Sequence, residues 1–133
     1  MKVYQGLVMV NHLCSSLDNM EYIYKIRVLR VVDGDTIDAE IDLGFDISIQ
    51  KRIRLHGINA PEVRTRDKKE KARGIKAKEY LESVVKHQNN ILYLKSMDKG
   101  KYGRCIGILF EVDFDDCSIN DDMIREGHAV PYK

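Results

Sequence analysis

Cysteine is scarce and unpaired in this chain: Cys14, Cys105 and Cys117 give an odd count with no CxxC and no Cys/His grid. That pattern argues against a structural zinc module, and the sulfurs read as reduced thiols, with Cys105 inside a strand. Long apolar runs are also lacking. Leu7-Val8-Met9-Val10 is cut by Asn11 and His12 and preceded only by Lys2. It is too short for a membrane span and poor as a secretion leader, so no membrane partner is expected. Repeats and linkers are absent, and the length suits one domain with a real core. Residues 1–20 read as an arm or extra strand ahead of a domain over 21–133. An excess of one charge sign is missing too, because 22 Lys/Arg meet 21 Asp/Glu for a formal net charge of +1.

What the total hides, the distribution shows. Between Lys51 and Lys78 eleven Lys or Arg stand against three acids, while between Glu111 and Glu126 seven acids stand against Arg125. A basic half and an acidic half cancel in the sum but not in the field. With 44% apolar and 32% charged residues, the chain has the composition of a soluble globular protein.

The β-branched and aromatic run Tyr22–Val32 reads as a strand. Asp33-Gly34-Asp35 turns the chain into Thr36–Leu43, where apolar and acidic residues alternate as in a half-buried strand. Beyond Gly44, Ile47, Ile49, Ile53 and Leu55 share one parity and Ser48, Gln50, Arg52 and Arg54 the other, with Lys51 breaking the apolar set at an edge or a bulge. From about Asp67 to His87 the period becomes helical, with Asp67 as cap and Glu70 as its capping-box partner. Gly74 is expected to weaken that helix by about 1 kcal/mol relative to Ala. Strands follow at 91–95 and 104–110, then a short helix from Ser118 to Glu126 stopped by Gly127. The order β-β-β-α-β-β-α suits a mainly β, α+β fold: a five-stranded Greek-key barrel with one long and one short helix. A split α+β sheet fits the same local signals.

The chemistry gathers around Arg52-Ile53-Arg54-Leu55-His56-Gly57-Ile58-Asn59-Ala60-Pro61-Glu62. An alternating strand puts two guanidiniums on one face, and an amide and a carboxylate follow past the turn. Fixed cations beside oxygen ligands suit a phosphate ester and a hard metal ion. Upstream, Asp33 and Asp35 are either an ordinary Asp-Gly hairpin turn or carboxylates projected towards a divalent ion. His56 reads as a packing or backbone-contact residue, and neither it nor His128 is a catalytic candidate.

Taken in order, Val32-Asp33-Gly34-Asp35-Thr36, then Arg54-Leu55 with Pro61-Glu62, then Lys101-Tyr102-Gly103-Arg104 resemble the three signature blocks of the staphylococcal nuclease-like (thermonuclease) family. The resemblance runs from about Tyr22 to Ala129. It implies an OB-fold barrel and a Ca²⁺-dependent endonuclease that hydrolyses DNA or RNA, single strands above all, with other divalent ions as possible substitutes. It assigns Asp35 as a metal carboxylate, with Asp33 in support and the Ala60 backbone carbonyl as a further ligand. Arg54 and Arg104 would clamp the scissile phosphate, and Glu62 would activate or orient the attacking water. Lys101, Tyr102, Arg52 and Tyr132 fall to substrate binding.

Two departures accompany the resemblance. Asn59 stands where the family often has a second metal carboxylate, so one ligand charge is lost and weaker metal affinity is expected. The C-terminal helix of longer members is absent, leaving Tyr132 as the aromatic from the segment that lines their nucleotide pocket. The alternative is a catalytically weak or silent OB-fold module that binds nucleic acid without cutting it. No obligate protein partner is evident, and a cytoplasmic protein of a bacterium or phage is the expected setting.

Overall fold

A computed structural model describes residues 22–97, 105–112 and 117–132. The arm expected over residues 1–20 lies outside the described residues, as do Lys101, Tyr102 and Arg104.

The first β-branched run forms β1 (Ile23–Asp33). Its alternation changes phase: Ile26, Val28 and then Val31 are buried, while Leu29 and Arg30 both face outward. A register shift between Val28 and Arg30 supplies the extra residue. Strand β2 (Thr36–Gly44) alternates as expected, with Ile37, Ala39 and Ile41 inside. Strand β3 (Ile47–Leu55) keeps its apolar side only in part, since Ile53 and Leu55 are buried but Ile47 and Ile49 are exposed. The β2–β3 ribbon runs past the core, which leaves Phe45 at its tip 97% exposed. Pairing is continuous through Lys51 and Ala39, so Lys51 marks where β3 leaves the core and not a bulge.

Strands β5 (Ile91–Ser96) and β6 (Cys105–Phe110) close a barrel in the order β1-β2-β3-β6-β5. Antiparallel β1–β5 pairing shuts one side. On the other, β3 and β6 run parallel over the rungs Ile53–Cys105, Arg54–Ile106 and Leu55–Gly107. This is the five-stranded barrel expected from the sequence, and its closure sets the split sheet aside. Ile37, Ile53, Leu55, Leu92 and Leu109 fill the inside without exposure, each contributing about 1.5–3 kcal/mol of burial. A ribbon not expected from the sequence joins β4 (Ile58–Asn59) to β7 (Val130–Pro131).

Helix α1 (Lys68–His87) starts where Asp67 accepts hydrogen bonds from the N–H groups of Lys69 and Glu70. It buries Gly74, Ala77, Leu81 and Val85, one stripe at helical spacing. Helix α2 (Ile119–Arg125) is capped by Ser118 and ended by Gly127 at φ +78°. Its Asn120 is buried, accepting from Leu109 N–H at 3.0 Å and donating to the carbonyls of His56 and Gly107 at 2.8 and 3.2 Å. One amide thus ties α2 to β6 and to the turn after β3. Among the described residues no helix is long and apolar enough to cross a membrane.

Candidate active site

The site begins at the β1–β2 turn, where Asp33 pairs with Thr36 and Gly34-Asp35 forms the tip. A Cβ on Gly34 would come within 2.7 Å of the Ala77 Cβ and 3.0 Å of the Ala60 Cβ. Glycine therefore lets the turn press in between α1 and the segment after β4. That inward turn leaves Asp35 only 7% exposed, and a carboxylate so placed needs partners. Oδ1 accepts from the Thr36 hydroxyl at 2.9 Å. Oδ2 accepts from Ala60 N–H at 2.9 Å and lies 3.5 Å from Arg54 Nη2.

Arg54 sits on the middle rung between β3 and β6, opposite Thr36 on its other side. Its side chain is 18% exposed. Nη1 donates to the Leu55 carbonyl at 2.7 Å and Nη2 to Asn59 Oδ1 at 3.4 Å. The guanidinium carbon lies 5.8 Å from the centre of the Tyr132 ring, within cation–π range. The β4–β7 ribbon makes that contact possible, and Tyr132 N–H donates to the Gly57 carbonyl at 2.9 Å beyond it.

Three carboxylates hold the loop after β4 by its backbone amides. Asp35 takes Ala60 N–H, Glu70 Oε2 takes Glu62 N–H at 3.3 Å, and Asp33 Oδ1 takes Val63 N–H at 3.3 Å. Glu70 thus braces the Glu62 loop where a capping-box bond was expected, and Asp67 N–H goes to the Thr65 hydroxyl instead. Gly74 also has a purpose the sequence did not show. A Cβ there would fall 2.5 Å from the Glu62 carbonyl oxygen, so glycine lets α1 lie directly on this loop. The Glu62 side chain itself is exposed. It lines a cavity of about 430 Å³ with Asn59, Arg73, Lys76 and His128. Arg54, His56 and Tyr132 line a second cavity of about 660 Å³, and Asn59 belongs to both.

The structure therefore brings together Asp35, Arg54, Asn59, Ala60 and Tyr132, with Glu62 on the adjoining wall. Asp33 reaches the group through Val63 N–H. Arg52 does not join it. Its Nε and Nη2 donate to the two carboxylate oxygens of Asp38, at 2.8 and 3.1 Å, directly across the β2–β3 ladder. That hydrogen-bonded guanidinium holds the Asp38 carboxyl below the usual carboxylate range, against the opposing pull of burial, with Arg30 adding to it. Arg104, Lys101 and Tyr102 lie outside the described residues, although Cys105 opens β6 beside Ile53. His56 is engaged through its backbone, and His128 stacks on Tyr80 at 4.7 Å. Burial, followed by the Asp122 and Glu126 charges, pushes the Tyr80 phenol pKa up.

Asp35 and Asn59 each place an oxygen on the same Arg54 nitrogen. As a donor set they are hard oxygens with one formal negative charge between them. Among the described residues no group of three or more His, Cys, Asp or Glu is placed to hold a metal. A carboxylate and an amide oxygen are donors of the kind a hard divalent cation such as Ca²⁺ takes.

Comparison with known proteins bears on the family of the chain. The sequence profile of the family described as staphylococcal nuclease homologue matches residues 52–133. An uncharacterized protein of Methanocaldococcus jannaschii is 28% identical, covering 92% of this chain and 65% of its own length. A protein named ParB from Escherichia coli is 31% identical over 80% of this chain and 56% of its own. An uncharacterized endonuclease of Escherichia coli O157:H7 is 32% identical over 80% of this chain and 60% of its own. The chain thus spans 56–65% of the length of these relatives.

Proposed function

The chain belongs to the staphylococcal nuclease homologues, and on that premise we propose that it hydrolyses phosphodiester bonds of DNA or RNA with the help of a divalent cation, Ca²⁺ first. One observation carries the reading: a carboxylate only 7% exposed, a guanidinium and an amide oxygen meet at one point, beside a cavity with Glu62 on its wall.

Arg54 is held by Leu55, Asp35 and Asn59, so it meets a phosphate already oriented. A fixed guanidinium stabilises charge that grows on phosphoryl oxygens as water attacks. Arg104 is assigned the second clamp by sequence. Asp35 and Asn59, with the Ala60 carbonyl, would hold the cation, which supplies further neutralisation of the phosphate. Glu62 accepts or orients the proton of the attacking water, and the Glu70 and Gly74 contacts fix the backbone that carries it. Tyr132 flanks the guanidinium and offers a face to sugar or base.

The test is degradation of single-stranded DNA and RNA in Ca²⁺ and in chelator, for wild type and Glu62→Gln. Cleavage that needs metal and falls on the order of 10²-fold or more in the variant supports the reading. Binding without cleavage, indifferent to metal, overturns it in favour of a silent binding module.

A further inference from the structure

Asp33 and Val63, which share a hydrogen bond, also line a cavity of about 510 Å³ with Arg30, Arg52, Arg64 and Lys78. Its four cations come from four separate pieces of chain: β1, β3, the loop after Glu62, and α1. Two acids answer them. Asp38 is committed to Arg52 in a two-point ion pair, and Asp33 is committed through Oδ1 to Val63 N–H. Among the described residues, no hydrogen bond or ion pair engages the side chains of Arg30, Arg64 or Lys78. Four cations against two acids leave an excess of positive charge on a concave surface, which raises the local potential for anions. The bulge in β1 contributes directly, because its change of phase turns Arg30 outward.

We infer that this cavity is a second phosphate subsite, which holds the backbone of a single-stranded polynucleotide next to the scissile phosphate. The inference rests on the nuclease reading for its choice of anion. The Asp33–Val63 contact links the cavity to the first site through the chain. Asp33 is two residues from Asp35, and Val63 follows Glu62, so one strand of substrate passing over this contact would meet both. The ligand is a phosphodiester chain of several nucleotides, which makes the protein a reader of continuous backbone and not of a lone nucleotide.

The experiment is equilibrium binding in chelator, by fluorescence anisotropy, of a labelled single-stranded oligonucleotide of about 10 nucleotides. Wild type is compared with Arg30→Gln/Arg64→Gln/Lys78→Gln and with a charge-matched control, Lys25→Gln/Lys71→Gln/Lys86→Gln. Arg52 is left in place so that Asp38 keeps its partner, and thermal melting checks that both variants fold. The cavity variant is expected to bind about tenfold more weakly at low salt, with the salt slope reduced by about 0.7 for each phosphate no longer held. The control should lose less than half of that factor on a logarithmic scale. Equal losses in the two variants, an unchanged cavity variant, or no binding by wild type would overturn the subsite. The nuclease reading is judged separately by metal-dependent cleavage in wild type. Binding through the cavity without cleavage sinks that reading alone, and cleavage with an indifferent cavity variant sinks the subsite alone.

Discussion

Asp35 and Asn59 differ by one charge, and in the proposed reaction that difference would set how tightly the site takes a cation. Replacing Asn59 with Asp puts a second carboxylate on Arg54 Nη2, where the amide oxygen now sits at 3.4 Å. The expected outcome is a metal requirement lowered by roughly tenfold or more, read by calorimetric Ca²⁺ titration and by the metal dependence of cleavage. An unchanged requirement would place Asn59 outside the ligand set. Arg54 makes the opposite demand, since its value lies in shape. A Lys there keeps the charge but loses the planar fork that reaches Leu55, Asp35 and Asn59 together. Arg54→Lys should therefore lower kcat on the order of 10²-fold. Activity within a few-fold of wild type would mean that the charge alone suffices.

At the level of elements, α1 is positioned by what it lacks. Ala is the better helix former by about 1 kcal/mol, yet at position 74 its Cβ meets the Glu62 carbonyl at 2.5 Å. Gly74→Ala is expected to cost about 1–3 kcal/mol net in urea unfolding and to reduce cleavage, because the loop carrying Glu62 must retreat. A variant more stable than wild type and fully active would show that this contact is slack. Asn120 is the counterpart in α2. Removing its side chain takes the Asn120 partner from Leu109 N–H and the His56 carbonyl, while Gly107 keeps His56 N–H, and Asn120→Ala should cost roughly 3 kcal/mol by the same assay. These elements also show where sequence reading succeeds. Asp67, Ser118 and Gly127 act through their own neighbours in the chain, so caps and stops were legible. The alternation of β2 was legible for the same reason. Gly74 and Gly34 were not, because each answers to an atom on a distant segment. The β4–β7 ribbon has two residues a side and no periodicity to find, and the same goes for the Glu70 contact with Glu62 N–H.

For the molecule as a whole, charge and pH act through a few groups. Asp38 has a folded pKa below its ordinary 3.8, so the stability it adds is present above that value and is lost as pH falls through the folded pKa. The Asp38–Arg52 pair is largely exposed, so Asp38→Asn should cost less than about 1 kcal/mol at neutral pH and flatten the acid limb of the stability curve. Tyr80 has the opposite sign. Its folded pKa is raised above 10.0, so its contribution is intact below 10 and is lost as pH climbs through the folded value. Tyr80→Phe should flatten the alkaline limb, as followed by thermal melting from pH 9 to 11. An unaltered limb would shift the cause to other groups. The barrel itself was readable from the order of its strands, and the nuclease family from three short blocks. The cationic cavity was half readable. The basic run was visible, but the outward turn of Arg30 depends on a bulge that no pattern announced.

The parallel seam between β3 and β6 is only three rungs long, and Arg54 occupies the middle one. The hinge that keeps the cylinder shut therefore also carries the guanidinium proposed to clamp the phosphate. A breathing motion that parts those rungs would scatter the site while most of the interior stays packed. On slow heating, turnover should fade several degrees before the circular dichroism signal does, so that working temperature is set by the weakest stitch and not by the melting of the cloth.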